Sequence, residues 1–182
     1  MKENHRKLSA SRINISELML PSHTNFSGKI HGGHILKLMD QIAFASASKY
    51  SRSYCVTASV DKVDFLNPIE VGELVIMKAS VNYVGNSSMV VGIRVTAENI
   101  QTGKVKHCNS SYFTMVAKDG EGNNVRVPRP ILTSLEEVRR FHNAIKRIEL
   151  KKERNEHRET FDHTTTEAIE SLKKLNITVE LQ

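Results

Sequence analysis

The sequence has 182 residues, with 26 Lys and Arg against 20 Asp and Glu, giving a formal net charge of +6. Its 39% apolar content and mean hydropathy of −0.36 are those of a globular chain, and no stretch approaches the ~20 apolar residues of a membrane span. Two cysteines, Cys55 and Cys108, are too few for a disulfide framework and point to a reduced, cytoplasmic setting, while the polar first eleven residues lack the apolar core of a signal peptide.

The basic excess leaves nucleic acid, an anionic membrane surface or an anionic small molecule open as partners. Its location narrows the choice. Residues 133–182 hold as many acids as bases, so the whole +6 lies on residues 1–132. Basic runs such as Arg139-Arg140 sit beside acids that cancel them, the pattern of a solvated helix rather than a DNA-reading one. The expectation is therefore no nucleic acid and no membrane partner.

In chain order, residues 1–11 read as an N-terminal arm. Residues 12–19 alternate apolar and polar, as a half-buried strand does. Pro21 to Lys29 is a loop rich in Ser, Thr, Asn and Gly. Gly32-Gly33 lead into Ile35–Lys49, dense in Ile, Leu, Met, Ala and Phe, which predicts a helix that is apolar nearly all round and mostly buried. Cys55–Leu66 alternates again, slipping by one place near Asp61-Lys62, which predicts a bulge or bend. Three more strands follow at Glu73–Val84, Met89–Glu98 and Val105–Ala117, separated by the turns Gly85-Asn86-Ser87-Ser88 and Gln101-Thr102-Gly103. Pro128 and Pro130 read as a stop and linker.

Ser134 and Glu137 then form a capping-box pattern. Leu135, Val138, Phe141, Ile145 and Ile148 predict an amphipathic helix to about residue 157. Thr164 and Glu167 suggest a second cap ahead of a short helix through Leu175. Short turns force antiparallel neighbours, and one very apolar helix needs a sheet around it. The fold class is α+β, one antiparallel sheet curled round one central helix.

Asp40 is the anomaly of that helix. On a 3.6-residue period it shares a face with Leu36, Ala43 and Ala47, where a buried carboxylate needs compensation and moves toward the working range of a general base. A structural hydrogen bond to a neighbouring loop would explain it equally well. Gly32 and Gly33 stand where the free N–H groups of a helix start point outward and can hold a developing oxyanion; a plain turn and cap is the simpler reading. Asn25 can orient a water or close an Asx-turn. Gly85, Asn86, Ser87 and Ser88 can offer N–H groups and hydroxyls to a phosphate or simply close a hairpin. His31 and His34 lie three apart with His23 upstream, but a zinc site needs a third ligand, so no metal is expected.

Taken together, Asn25-Phe26-Ser27-Gly28-x-Ile30-His31-Gly32-Gly33, ending in Leu38-Met39-Asp40, resembles the hotdog-fold acyl-CoA thioesterases, in particular the cytosolic acyl-CoA hydrolase branch. Val63-Asp64-Phe65-Leu66-Asn67-Pro68-Ile69 with Val71-Gly72-Glu73, and Val84-Gly85-Asn86-Ser87-Ser88-Met89, add to the likeness, which spans residues 12–130. Residues 131–182 form a C-terminal helical extension outside it. The resemblance implies a five-stranded sheet wrapped round one long helix, paired into dimers and then a homohexamer. It implies hydrolysis of acyl-CoA, in fatty acid metabolism, to a fatty acid and coenzyme A without a metal or separate cofactor. Asp40 would be general base or nucleophile, and Asn25 would come from the opposite subunit. N–H groups near Gly32 and Gly33 would polarise the carbonyl, and Gly85–Ser88 would contact coenzyme A phosphates. A non-catalytic acyl-CoA-binding regulator of the same fold is the alternative.

Overall fold

The computed structural model describes residues 4–159, 162–173, 175, 177–178 and 180. Its centre is the helix α1, Gly32–Ser51, against a five-stranded antiparallel sheet. The strands are β2 (Ile13–Leu18), β3 (Tyr54–Val60), β4 (Glu73–Val84), β5 (Ser88–Asn99) and β6 (Val105–Lys118), ordered β2-β4-β5-β6-β3. The three inner strands alternate as their sequences do. Val75, Met77, Ala79 and Val81 of β4, Met89, Val91, Ile93 and Val95 of β5, and Phe113, Met115 and Ala117 of β6 are all buried. They meet Ile35, Leu38, Met39, Ile42, Ala43 and Ala47 of α1 in one apolar cluster. Five methionines, Met19, Met39, Met77, Met89 and Met115, lie in this core, and their unbranched side chains fill the uneven gap between a straight helix and a twisted sheet.

The helix departs from expectation in two ways. It is 20 residues long and begins at Gly32 itself, because His31 supplies an N-cap that sequence statistics do not favour. It is also buried on one side only, since Leu36, Lys37, Asp40, Gln41 and Phe44 are exposed. Its far end closes on Arg52 in the left-handed conformation, with φ 61°. In β3 the irregularity falls between Thr57 and Ser59 rather than at Asp61-Lys62. The strand ends at Val60, and residues 61–66 continue beside β6 through bonds from Asp61 N–H to Tyr112 O and Leu66 N–H to Cys108 O. A one-residue slip of alternation looks the same in sequence for a bulge and for a strand end.

Residues 4–11, within the expected N-terminal arm, are held by pairing and burial. β1, His5–Lys7, pairs in parallel with β7, Arg129–Ile131, the segment expected as a linker. Leu8 and Ser11, in the 3-10 turn Leu8–Ser11, are buried. Tyr50 of α1 donates its hydroxyl toward Arg6 O (3.3 Å) and Pro128 O (3.2 Å), and Arg6 donates back to Tyr50 O. Burial holds the Tyr50 phenol up at about 12, against the opposing pull of Arg6.

By contacts the chain divides into one unit ending at Ala144 and a second beginning at Ile145. The helix α2, Leu135–Glu159, crosses that division. Ser134 caps it, accepting from Glu137 N–H at 3.2 Å. The Glu137 carboxylate bonds Thr133 N–H, the Thr133 hydroxyl and Arg12. Burial alone would raise its pKa, but these three donors hold it below the ordinary value. Arg139 and Arg140 both bind Glu136. In the second unit, α3 spans Thr166–Lys173, and its first turn is capped by the Thr165 hydroxyl on Ala168 N–H, one residue after the expected Thr164. Residue 174 of the expected short helix lies outside the described residues. Among the described residues no helix is long and apolar enough to cross a membrane.

Candidate active site

The loop before α1 is a closed tongue. Thr24 bridges Ile30, His31 N–H reaches His23 O at 2.8 Å, and Ile30 N–H reaches Ile69 O at 2.9 Å. Asn25 makes its tip. Its Oδ1 accepts from Ser27 N–H, the Ser27 hydroxyl and Lys29 N–H at 2.8–3.2 Å. The Asx-turn reading is therefore right about Oδ1, and Gly28 completes the turn with φ +78°.

At the start of α1 the two glycines differ. Gly33 N–H donates to His31 Nδ1 at 2.8 Å, so it is already engaged. A Cβ on Gly33 would lie 2.7 Å from that ring, so a side chain there would push the His31 ring off its cap. Gly32 N–H has no acceptor among the described residues. The free donor expected of the Gly-Gly pair is thus carried by Gly32.

Asp40 is exposed rather than buried. The face it shares with the buried Ala43 and Ala47 and the exposed Leu36 turns outward at its own position. There the Thr57 hydroxyl donates to Asp40 Oδ1 at 2.6 Å. Sequence reading passed over Thr57, because a threonine in a strand is ordinary; only the packing of β3 on α1 places it against a carboxylate 17 residues earlier. Asp40 and Thr57 line a cleft of about 370 Å³ together with Gln41, Phe44, Tyr54, Cys55 and Val56. The cleft opens at β3, an edge strand of the sheet, and Phe44 and Tyr54 meet edge-to-face across 5.7 Å beside it.

Within one chain the expected residues do not all converge. Eight residues separate Gly32 from Asp40, or about 12 Å along a helix rising 1.5 Å per residue. Gly85–Ser88 is the hairpin turn between β4 and β5, closed by Gly85 N–H to Ser88 O at 2.8 Å. Ser88 pairs with Val116 and Val116 with Val56, which sets the turn two strands, about 9.6 Å, from the residue beside Thr57. The carbonyls of Asn86 and Ser87 are taken by Val127 N–H and Ala117 N–H, and the Gly85 N–H by Ser88 O, so these groups of the turn are already engaged.

A long helix wrapped by an antiparallel sheet in this strand order, presenting a hydroxyl-held carboxylate at an edge strand, is the hotdog architecture. The Thioesterase superfamily matches residues 27–104. Protein VdlD of Helicobacter pylori is 41% identical over 141 residues, covering 78% of this chain and 80% of that protein. An apo-hexameric acyl-CoA thioesterase of known structure is 36% identical with a TM-score of 0.81, covering 84% of this chain and 97% of that one. An acyl-CoA hydrolase of Staphylococcus aureus, solved with butyryl coenzyme A, coenzyme A and coenzyme A disulfide, is 31% identical with a TM-score of 0.78, covering 93% and 99%. The chain belongs to the hotdog-fold acyl-CoA thioesterases. The S. aureus enzyme has also been solved as three variants, with one Asn, one Asp and one Thr each replaced by Ala. Those three positions follow one another at intervals of 15 and 17 residues, the intervals that separate Asn25, Asp40 and Thr57.

Proposed function

We propose that this enzyme hydrolyses acyl-CoA with Asp40 of one subunit and with Asn25 and Gly32 of another. The single observation that carries the two-subunit reading is the distance along α1. A general base and an oxyanion donor must each lie near 3 Å from atoms of the same thioester. Asp40 and Gly32 N–H, about 12 Å apart in one chain, cannot both do so. A second copy seated at the β3 edge would supply what is missing. That edge is flanked by exposed Phe44, Tyr54 and Val60, an apolar patch beside an unpaired strand.

In this arrangement the Thr57 hydroxyl fixes Oδ1 of Asp40 and leaves Oδ2 toward the substrate. Oδ2 takes a proton from a water as that water attacks the thioester carbonyl; collapse of the tetrahedral intermediate breaks the C–S bond, and the departing coenzyme A thiolate takes that proton back from Asp40. Direct attack by Oδ2, expelling the coenzyme A thiolate and giving a mixed anhydride that water then opens to the fatty acid and free Asp40, uses the same geometry. Gly32 N–H receives the developing oxyanion, and the positive end of α1 adds to it. Asn25 Nδ2 orients the water or the carbonyl, because its Oδ1 is held by the loop. The Gly85–Ser88 turn receives coenzyme A phosphates through its outward N–H groups and hydroxyls, and the basic excess of residues 1–132 favours that polyanion. The dimer is the building unit, and three dimers form the hexamer in the cytoplasm.

Mixing Asp40→Asn with Asn25→Ala tests the reading. Each variant alone is expected to release no free thiol from acyl-CoA. Random mixing of refolded chains puts one intact site in each mixed dimer, restoring about a quarter of wild-type turnover by symmetry. Inactive single variants whose mixture stays inactive would refute sharing of the site between subunits.

A further inference from the structure

A second cluster lies at the foot of the same loop, outside the machinery just described. Glu17 on β2, His23 in the 3-10 turn Pro21–His23 and His34 in the first turn of α1 converge there, each half-buried. His34 Nε2 lies 3.0 Å from Glu17 Oε1, and His23 Nδ1 lies 4.0 Å from the same oxygen. The two imidazoles stack with centroids 3.9 Å apart and planes inclined by 18°. One donor atom from each of the three residues falls within 4.8 Å of the others.

We propose that Glu17, His23 and His34 form a binding site for one divalent cation of the zinc class. Two imidazole nitrogens and one carboxylate oxygen are a ligand set such ions favour, with a fourth position left for water. Donors sharing one tetrahedral ion at about 2.0–2.1 Å stand roughly 3.3 Å from each other. The 3.0 Å pair already meets that spacing, while the 4.0 Å pair reaches it only when the His23 ring turns out of its stack on His34, because imidazole lone pairs lie in the ring planes and planes inclined by 18° do not converge on one ion. Leu20 N–H donates to His23 Nδ1 at 3.3 Å, so that nitrogen is unprotonated but its lone pair is engaged, and an ion takes it only by displacing this long hydrogen bond.

The expectation of no metal rested on His31 and His34 as the pair. His31 is instead committed to capping Gly33, and the third ligand comes from a strand six residues before His23, where sequence spacing gives no signal. An ion here would tie together β2, the turn that precedes Asn25, and the start of α1. His23 is already coupled to the helix entry through its carbonyl, which accepts from His31 N–H at 2.8 Å.

The test uses the full chain, freed of metal by a chelator. Cobalt(II) alone is titrated in and followed by its visible absorption, and melting temperature is recorded with and without zinc(II). The expected result is saturation at one ion per chain with a rise in melting temperature. His23→Gln and Glu17→Gln are each expected to weaken cobalt binding at least ten-fold, whereas His142→Gln, on an exposed helical position, leaves it unchanged. His23 lies in a surface turn, so its variant keeps the test informative if Glu17→Gln misfolds. Absence of stoichiometric binding to the wild-type chain, or binding of equal strength in His23→Gln, would overturn the assignment.

Discussion

Replacing Thr57 by Val removes one hydroxyl and little volume, which isolates its bond to Asp40. The bond is 2.6 Å long and its acceptor is a carboxylate, placing it among charge-assisted hydrogen bonds. Such bonds contribute about 1.5–3 kcal/mol. The lower end applies because Thr57 and Asp40 are both exposed in the single chain, where water competes for the same groups. A loss of ~1.5 kcal/mol from the transition state lowers kcat about ten-fold, at 1.36 kcal/mol per decade. KM should hardly change, because the bond orients the base rather than gripping coenzyme A. Steady-state release of free thiol, read with a thiol reagent, gives both constants. Thr57→Ser restores the hydroxyl and is expected to restore kcat, a rescue that a packing role for the γ-methyl would not show. A Thr57→Val enzyme within two-fold of wild type in kcat would refute the positioning role. A loss near 10⁴-fold would refute it too, since one orienting hydrogen bond cannot account for so much.

Leu8→Ala should destabilise the body by about 2–5 kcal/mol, the range for a fully buried leucine, because Leu8 is 2% exposed within the core. Urea unfolding would show an unshifted midpoint if residues 4–11 were a free arm after all. The raised Tyr50 phenol predicts alkaline sensitivity. Its folded value, about 12, lies above the ordinary 10.0, so the stability it contributes is full below pH 10 and is lost as the pH rises through 12. Tyr50→Phe should flatten that decline between pH 10 and 12 in thermal melts, and an unchanged slope would count against the assignment.

Much of this molecule is legible without a structure because it depends on local pattern. Alternation along Glu73–Val84 reproduces β4 to the residue, since a strand with one face on a core must alternate. The density of Ile, Leu, Met and Ala after Gly33 marks the central helix, and Ser134 with Glu137 marks the start of α2, because helix burial and capping are settled within a few residues. The loop motif and Asp40 could be singled out for the same reason: a carboxylate in an apolar helix is anomalous on its face.

The parts that escaped are contacts between distant residues. The pairing of β1 with β7 joins segments some 124 residues apart, and three-residue strands have no period to detect. The exposure of Asp40 depends on where the sheet stops covering α1, which periodicity along the helix does not report. Thr57 beside Asp40, Glu17 beside His23 and His34, and the choice of Gly32 over Gly33 as the free donor all follow from side chains brought together by the packing of α1 on the sheet and its flanking turns. Sequence by itself determined the central helix, the long strands and which residues are chemically unusual, since propensity, alternation and caps are short-range. Tertiary structure alone decided which of those residues meet, because meeting depends on how the sheet curls around the helix, and nothing within a few residues of Asp40 encodes that.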